Sequence, residues 1–112
     1  IIDAGMNDMM RPALYDAEHE ILTSKLNDSD HNIETEIVGP ICESSDKFMR
    51  TTKFANIVEG DNVVIKNVGA YGSTMSSNYN ARPFIEEILI NKDEIQIIRK
   101  KQSFDDFIKN EL

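Results

Sequence analysis

One cysteine, Cys42, and two histidines, His19 and His31, are all that this 112-residue chain has of those types. No disulfide can form within it. The histidines lack ligand-like spacing to Cys42, so no zinc site is expected. No stretch reaches 18 apolar residues, and a membrane span is not expected. No basic segment followed by an apolar run opens the chain, so no secretory signal is visible; with an unpaired thiol this suits a reducing compartment, and the expected location is cytoplasmic. Positive charge is also short, 12 basic residues against 20 acidic for a net charge of -8. Phosphate backbones and anionic lipid would repel such a surface unless its cations cluster, and only Arg99-Lys100-Lys101 form a run. Neither nucleic acid nor a membrane is an expected partner. Internal repeats, low-complexity tracts, a phosphate-binding glycine loop and a Ser/His/Asp arrangement are missing as well.

What is present fits one small domain spanning residues 1–112. A chain of this length buries roughly two thirds of its unfolded surface and holds one modest core. Its 40% apolar and 29% charged residues leave much of it as surface. The opening Ile1-Ile2-Asp3-Ala4-Gly5 reads as a strand already under way, without an initiator methionine. A fragment from the carboxyl-terminal part of something longer is expected, ending at a genuine terminus near Leu112.

Pro12 suits a first helical position, so a short helical turn is predicted over Pro12–Ala17. That turn sets Arg11 and Tyr15 four apart on one side. A guanidinium fork beside a phenol is a good anion clamp, although the same spacing also fits an arginine that snorkels and a tyrosine that packs. Ile21-Leu22-Thr23 is β-compatible, residues 27–32 form a turn cluster, and Ile33 to Val38 alternate as a half-buried strand does. Two antiparallel strands are thereby predicted to lead into the break at Gly39-Pro40. Directly after it, Ile41-Cys42-Glu43-Ser44-Ser45-Asp46 places a thiol beside a carboxylate at the start of a loop, where reactive groups tend to be displayed. Single cysteines are more often packing residues, and both readings stand at this point.

Residues 45–56 read as a loop with one short strand, and Val63–Val68 as a central strand after the Gly60-Asp61 turn. Gly69-Ala70-Tyr71-Gly72 follows, where glycines flanking a tyrosine allow backbone to approach a ligand closely. Residues 73–80 are a solvated loop or the polar lining of a site. Phe84–Ile90 and Glu94–Lys100 form a hairpin. Ser103 caps a final helix with Asp106 as its capping-box acid, and Phe104, Phe107, Ile108 and Leu112 make an apolar stripe that would pack onto the sheet. The fold class is mainly β: a small Greek-key-like β-barrel or sandwich, with a helical turn near Pro12–Ala17 and a C-terminal helix.

Four of these segments, in register along nearly the whole chain, resemble one family. They are Asp3-Ala4-Gly5-Met6-Asn7; Arg11-Pro12-Ala13-Leu14-Tyr15-Asp16-Ala17; Gly39-Pro40-Ile41-Cys42-Glu43-Ser44 with Asp46; and Gly69-Ala70-Tyr71-Gly72 through Met75-Ser76-Ser77-Asn78-Tyr79-Asn80 with Arg82-Pro83. The order and spacing resemble the carboxyl-terminal part of diaminopimelate decarboxylases. The resemblance implies a pyridoxal 5'-phosphate enzyme of the alanine-racemase-like fold type. In that family an amino-terminal (β/α)8 barrel holds the cofactor on a lysine, and a carboxyl-terminal β-barrel domain completes the site. It converts meso-2,6-diaminopimelate to L-lysine and carbon dioxide in lysine biosynthesis, as a homodimer with shared active sites. By the same resemblance Cys42 is the proton donor to the partner subunit's site, and Glu43 binds the distal amino group. Arg11 and Tyr15 bind the distal carboxylate, and Tyr71 lies against cofactor and substrate. A thiol, with a reference pKa of about 8.5, has a proton to give near neutral pH.

The cofactor lysine and the barrel glycines are not in this chain, which alone is expected to be inactive. Glu18, Ser45 and Ser73-Thr74 depart from the commonest family wording and are expected to alter packing rather than reaction type. Two rivals stand beside this reading. An ornithine- or arginine-type decarboxylase of the same fold would lack the Arg11 and Tyr15 clamp, and a stand-alone β module would bind a partner protein instead. The enzymatic reading expects Cys42, Glu43, Arg11, Tyr15 and Tyr71 to converge on one concave rim.

Overall fold

A computed structural model describes residues 1–23, 34–51, 54 and 57–111. Its architecture is mainly β, as expected from sequence. The order is α1 (Arg11–Tyr15), β1 (Ile21–Thr23), β2 (Thr35–Val38), β3 (Lys47–Thr51), β4 (Val63–Ile65) and α2 (Gly69–Thr74). A 3-10 turn (Tyr79–Ala81), β5 (Glu87–Asn91), β6 (Glu94–Arg99) and α3 (Phe104–Ile108) follow. Among the described residues the strands form three two-stranded antiparallel ladders, β1–β4, β2–β3 and β5–β6, and no closed barrel.

β1 and β2 do not pair with each other, which corrects the expectation that they form one antiparallel pair. β1 pairs with β4 instead, Ile21 facing Ile65 and Thr23 facing Val63. Ile21 is buried while Leu22 and Val64 on the opposite face are exposed, the alternation a half-buried ladder requires. The turn cluster at residues 27–32 and His31 lie outside the described residues. β4 is also shorter than the predicted central strand and has a single partner. Its extension is stopped by two left-handed residues, Asn67 (φ 58°) and Gly69 (φ 54°), a backbone no strand can absorb.

β2 and β3 are joined across the Gly39–Asp46 loop, and here the sequence periodicity carries through. Ile37 faces Met49, Glu36 faces Arg50, and Val38 faces Lys47, so Phe48 is an extra residue on β3. That bulge turns Phe48 into the core beside Met9, Ile21, Ile37 and Phe54. The outward residues pair instead: Lys47 with Glu36 at 3.0 Å and Arg50 with Glu34 at 2.7 Å. The core thus lies against the β1–β4 and β2–β3 ladders, with Ile2, Ala4, Met49 and Val68 packed around it.

The hairpin β5–β6 turns through Lys92-Asp93, with Asn91 facing Glu94. Its isoleucines contribute nothing to this core: Ile90 and Ile95 are 69% and 73% exposed. In α3 the Ser103 hydroxyl accepts from the Asp106 amide and the Asp106 carboxylate accepts from Ser103 in return, the capping box read from sequence. The Ser103 hydroxyl, donating to that carboxylate at 2.7 Å, and the Ser103 amide, donating at 3.2 Å, hold the Asp106 carboxyl below its ordinary 3.8. The stripe on α3 is only partly covered: Phe107 and Ile108 are half-buried, while Phe104 is 71% exposed and contacts Phe107, ring centroids 6.4 Å apart. Leu112 lies outside the described residues.

One buried anion ties the segments together. Asp46, 3% exposed, accepts from the Ile41 amide at 2.8 Å and the Met6 amide at 2.7 Å. Its own carbonyl receives Gly39 N–H at 3.0 Å, closing the loop. A Cβ at Gly39 would collide with that carboxylate, so only glycine lets the loop close this tightly. Removing the carboxylate leaves two amides unpaired, at about 1–3 kcal/mol for each buried group. Asp46→Ala is therefore expected to destabilise the domain by about 2–4 kcal/mol in urea unfolding, whereas a loss below 0.5 kcal/mol would show that the loop closes without it.

Candidate active site

The short segment Asp3–Asp8 is the frame on which the candidate residues are mounted. Asp8 accepts from the Gly5 amide at 2.9 Å and from the Asn7 amide side chain at 3.0 Å, and Asn7 is 1% exposed. From this frame one bond, Met6 to Asp46, reaches the Gly39–Asp46 loop. A second set reaches residues 77–82: Ser77 N–H donates to the Asn7 carbonyl at 2.9 Å, and Arg82 donates to the Asp3 carbonyl at 2.6 Å while pairing with Asp8 at 3.8 Å. The chain then runs directly into α1. Most of these bonds use backbone groups, which is how buried charge is tolerated, while Asn7 Oδ1 and Arg82 Nε are buried without a hydrogen-bond partner among the described residues.

α1 starts at Arg11 and stops at Tyr15, two residues before the expected end, because Asp16 takes a left-handed conformation and its N–H closes on Pro12. Arg11 is half-buried and Tyr15 is 62% exposed. Gly69–Gly72, where the sequence reads glycines that let backbone approach a ligand closely, is the body of α2. Gly72 is buried where a Cβ would strike Val68, which lets this helix lie close to Met9 of the core. α2 presents Tyr71, 64% exposed, and the Arg11 guanidinium carbon sits 5.8 Å from the centre of its ring. A guanidinium over a phenol face is a favourable cation–π arrangement.

Cys42 and Glu43 project from the loop that Asp46 closes, and both are exposed. The Glu43 carboxylate receives the Ser44 hydroxyl at 3.5 Å and the Tyr79 hydroxyl at 3.2 Å. Tyr79 is a member of the group that sequence reasoning missed. It belongs to residues 73–80, which the sequence reads as a solvated loop or the polar lining of a site. A phenol within such a hydroxyl- and amide-rich run was the available signal. Its hydrogen bond to Glu43 and the charge of that carboxylate hold the phenol above its ordinary 10.0, with smaller contributions from burial and from Cys42.

The structure therefore brings Arg11 to Tyr71, with Tyr15 one turn further along α1, and brings Glu43 to Tyr79 beside Cys42. These two groups share the Asp3–Asp8 frame. A hollow of about 790 Å³ between α1 and β3, walled by Pro12, Phe48 and Met49, is lined by none of the five expected side chains. Another of about 390 Å³, bounded by Val68, Ala70, Ile85 and Arg99, also excludes them. Neither hollow is the concave rim expected from sequence. Among the described residues no group of three or more His, Cys, Asp and Glu side chains could hold a metal ion.

Residues 1–69 match the family described as the C-terminal sheet domain of pyridoxal-dependent decarboxylases. The chain is similar to a protein of Zymomonas mobilis named diaminopimelate decarboxylase, 41% identical over 111 residues, covering 99% of this chain and 26% of that one. Among solved structures it resembles diaminopimelate decarboxylase from M. jannaschii in co-complex with L-lysine, with a TM-score of 0.91 at 41% identity over 99% of this chain and 25% of that one. It also resembles the Helicobacter pylori enzyme complexed with L-lysine, with a TM-score of 0.85, 41% identity, 96% of this chain and 26% of that one. The chain thus spans about a quarter of the length of these relatives.

The contact between Glu43 and Tyr79 has a direct spectroscopic signature. In carbon-13 NMR of tyrosine-labelled protein, Tyr79 is expected to ionise above pH 10.0. Its phenolate forms beside a carboxylate, so replacing that charge by Glu43→Gln is expected to bring the midpoint back down. An unchanged midpoint would show that the two side chains are apart in solution.

Proposed function

The chain belongs to the pyridoxal-dependent decarboxylases, as their C-terminal sheet domain, and from that premise we propose that the enzyme it is part of converts meso-2,6-diaminopimelate to L-lysine and carbon dioxide. The relatives with this name match along nearly the whole chain, and two of the solved ones are complexes with L-lysine. The observation that carries the reading is Arg11. Of four arginines, Arg50, Arg82 and Arg99 each pair with an acid. Arg11 has no carboxylate partner among the described residues and rests on the Tyr71 ring. A guanidinium so held keeps its donor fork open for a carboxylate from outside.

Diaminopimelate has an intact amino acid head at the end remote from the reaction, and the surface offers a complement to each charge. Arg11, with the Tyr15 hydroxyl, takes the distal carboxylate. The Glu43 carboxylate is exposed and, among the described residues, hydrogen-bonded only to hydroxyls, so its charge is available to the distal ammonium. A substrate that lacks the distal carboxylate leaves Arg11 unpaired in the closed site, which is costly and sets the selectivity against ornithine or arginine. Cys42 delivers its thiol proton to the substrate carbon that has lost carbon dioxide. Pyridoxal 5'-phosphate supplies the electron sink for that reaction. Tyr71 fits a place beside the cofactor, since its ring is exposed and already lies against a cation.

In this proposal the domain, residues 1–112, forms part of a Greek-key-like β-barrel, and its open face is closed by a cofactor-bearing barrel domain. Cys42 serves the partner subunit's site in a cytoplasmic homodimer. Among the described residues no helix is long and apolar enough to cross a membrane.

In the full-length enzyme Arg11→Ala is expected to raise KM for meso-diaminopimelate about 100-fold, the order of losing a bidentate charge pair. Cofactor content, read from absorbance, should stay unchanged. Cys42→Ala should likewise keep the cofactor and lose turnover. Full turnover by Cys42→Ala, or an unchanged KM for Arg11→Ala, would remove the corresponding role.

A further inference from the structure

We infer that Tyr79 is a positioning residue for substrate recognition, its hydroxyl holding the Glu43 carboxylate in the orientation that receives the distal ammonium of the substrate. The inference rests on the role proposed for Glu43 and adds a residue to it. Glu43 is exposed and has three rotatable side-chain bonds, so an unrestrained carboxylate would sample many orientations and lose that freedom on binding. The Tyr79 hydroxyl, 3.2 Å from one carboxylate oxygen, removes part of that cost beforehand. A neutral donor can do this without neutralising the acid, which a lysine or arginine in the same place would do.

Tyr79 can hold Glu43 only because its own backbone is held, and the restraint is unusual for a surface tyrosine 46% exposed. The Asn78 side chain donates to the Arg82 carbonyl at 2.8 Å and to Gln102 at 2.6 Å. The Tyr79 amide donates to the Ser77 hydroxyl at 3.3 Å. Asn80 and Ala81 that follow are both left-handed, φ 60° and 56°, a conformation costly for alanine. Such strain persists where surrounding contacts over-determine it and tends to mark functional positions. Arg82 and Ser77 fasten both ends of the stretch to the Asp3–Asp8 frame, and the same frame fastens the Glu43 loop through Asp46. Donor and acceptor are thereby held against one common support. The upward displacement of the phenol's ionisation is what such a contact produces.

The test is a double-mutant cycle in the full-length, cofactor-loaded enzyme, comparing the native protein, Tyr79→Phe, Glu43→Ala and the double variant with meso-diaminopimelate. Tyr79→Phe is expected to raise KM about 5- to 10-fold with kcat within about twofold, the mark of lost uniform binding. The double variant should have the KM of Glu43→Ala alone, since Tyr79 then has nothing to hold. A merely structural role would instead lower the active fraction, and so kcat, at unchanged KM. If Glu43→Ala raises KM but Tyr79→Phe does not, or if Tyr79→Phe raises it equally in both backgrounds, the inference is overturned and the reading of Glu43 survives. If Glu43→Ala leaves KM unchanged, that reading falls and takes the inference with it.

Discussion

The Asp46 carboxylate sits where two segments 40 residues apart must meet, and the candidate site depends on it. One of its oxygens holds the turn at Met6 and the other holds Ile41, next to Cys42. Charge-assisted bonds from backbone amides to a carboxylate are stronger than neutral ones, and at 3% exposure little water competes for them. Its position is enforced from two further sides, by Gly39, which has no Cβ to push it away, and by the bulge at Phe48, which anchors the start of β3 in the core. A thiol and an acid on an exposed loop would otherwise wander. Here the loop that carries them is fixed at its base while the two side chains remain open to solvent.

The same division between rigid support and exposed side chain recurs at Tyr71 and Tyr79. Gly72 packs α2 against the core while Tyr71 points outward, and the Asn78 bonds fix the stretch from which Tyr79 reaches Glu43. Sites built this way bind by preorganisation, because the ordering has been done during folding. Among the described residues Arg11 alone of the four arginines has no acid beside it.

Much of this was legible in the sequence, for reasons that differ by residue. Alternation from Glu34 to Val38, proline at the head of α1, and the Ser103 and Asp106 capping pair are local signals, and local signals survived folding. Pairing was not legible. β1 meets β4 across some forty residues, and nothing in Ile21-Leu22-Thr23 distinguishes β4 from β2 as its partner. α2 was hidden for a different reason: Gly-Ala-Tyr-Gly-Ser-Thr has poor intrinsic helix propensity, and tertiary packing through Gly72 overrides it. The Cys42–Glu43 dipeptide stood out because of the break before it, whereas Asp46, on which that dipeptide depends, entered only as part of a family motif, with no structural role legible. Burial, which gives Asp46 its role, is invisible in composition.

The central proposal is that this domain lends its thiol to a site completed elsewhere in a dimer. The most direct measurement is turnover of meso-diaminopimelate by a mixture of two inactive full-length variants, Cys42→Ala and one lacking the cofactor lysine. Subunit exchange gives hybrid dimers in which one site regains both groups. The account predicts that activity reappears on mixing, at a fraction of the native level. No recovery, with hybrids shown to form, would contradict it.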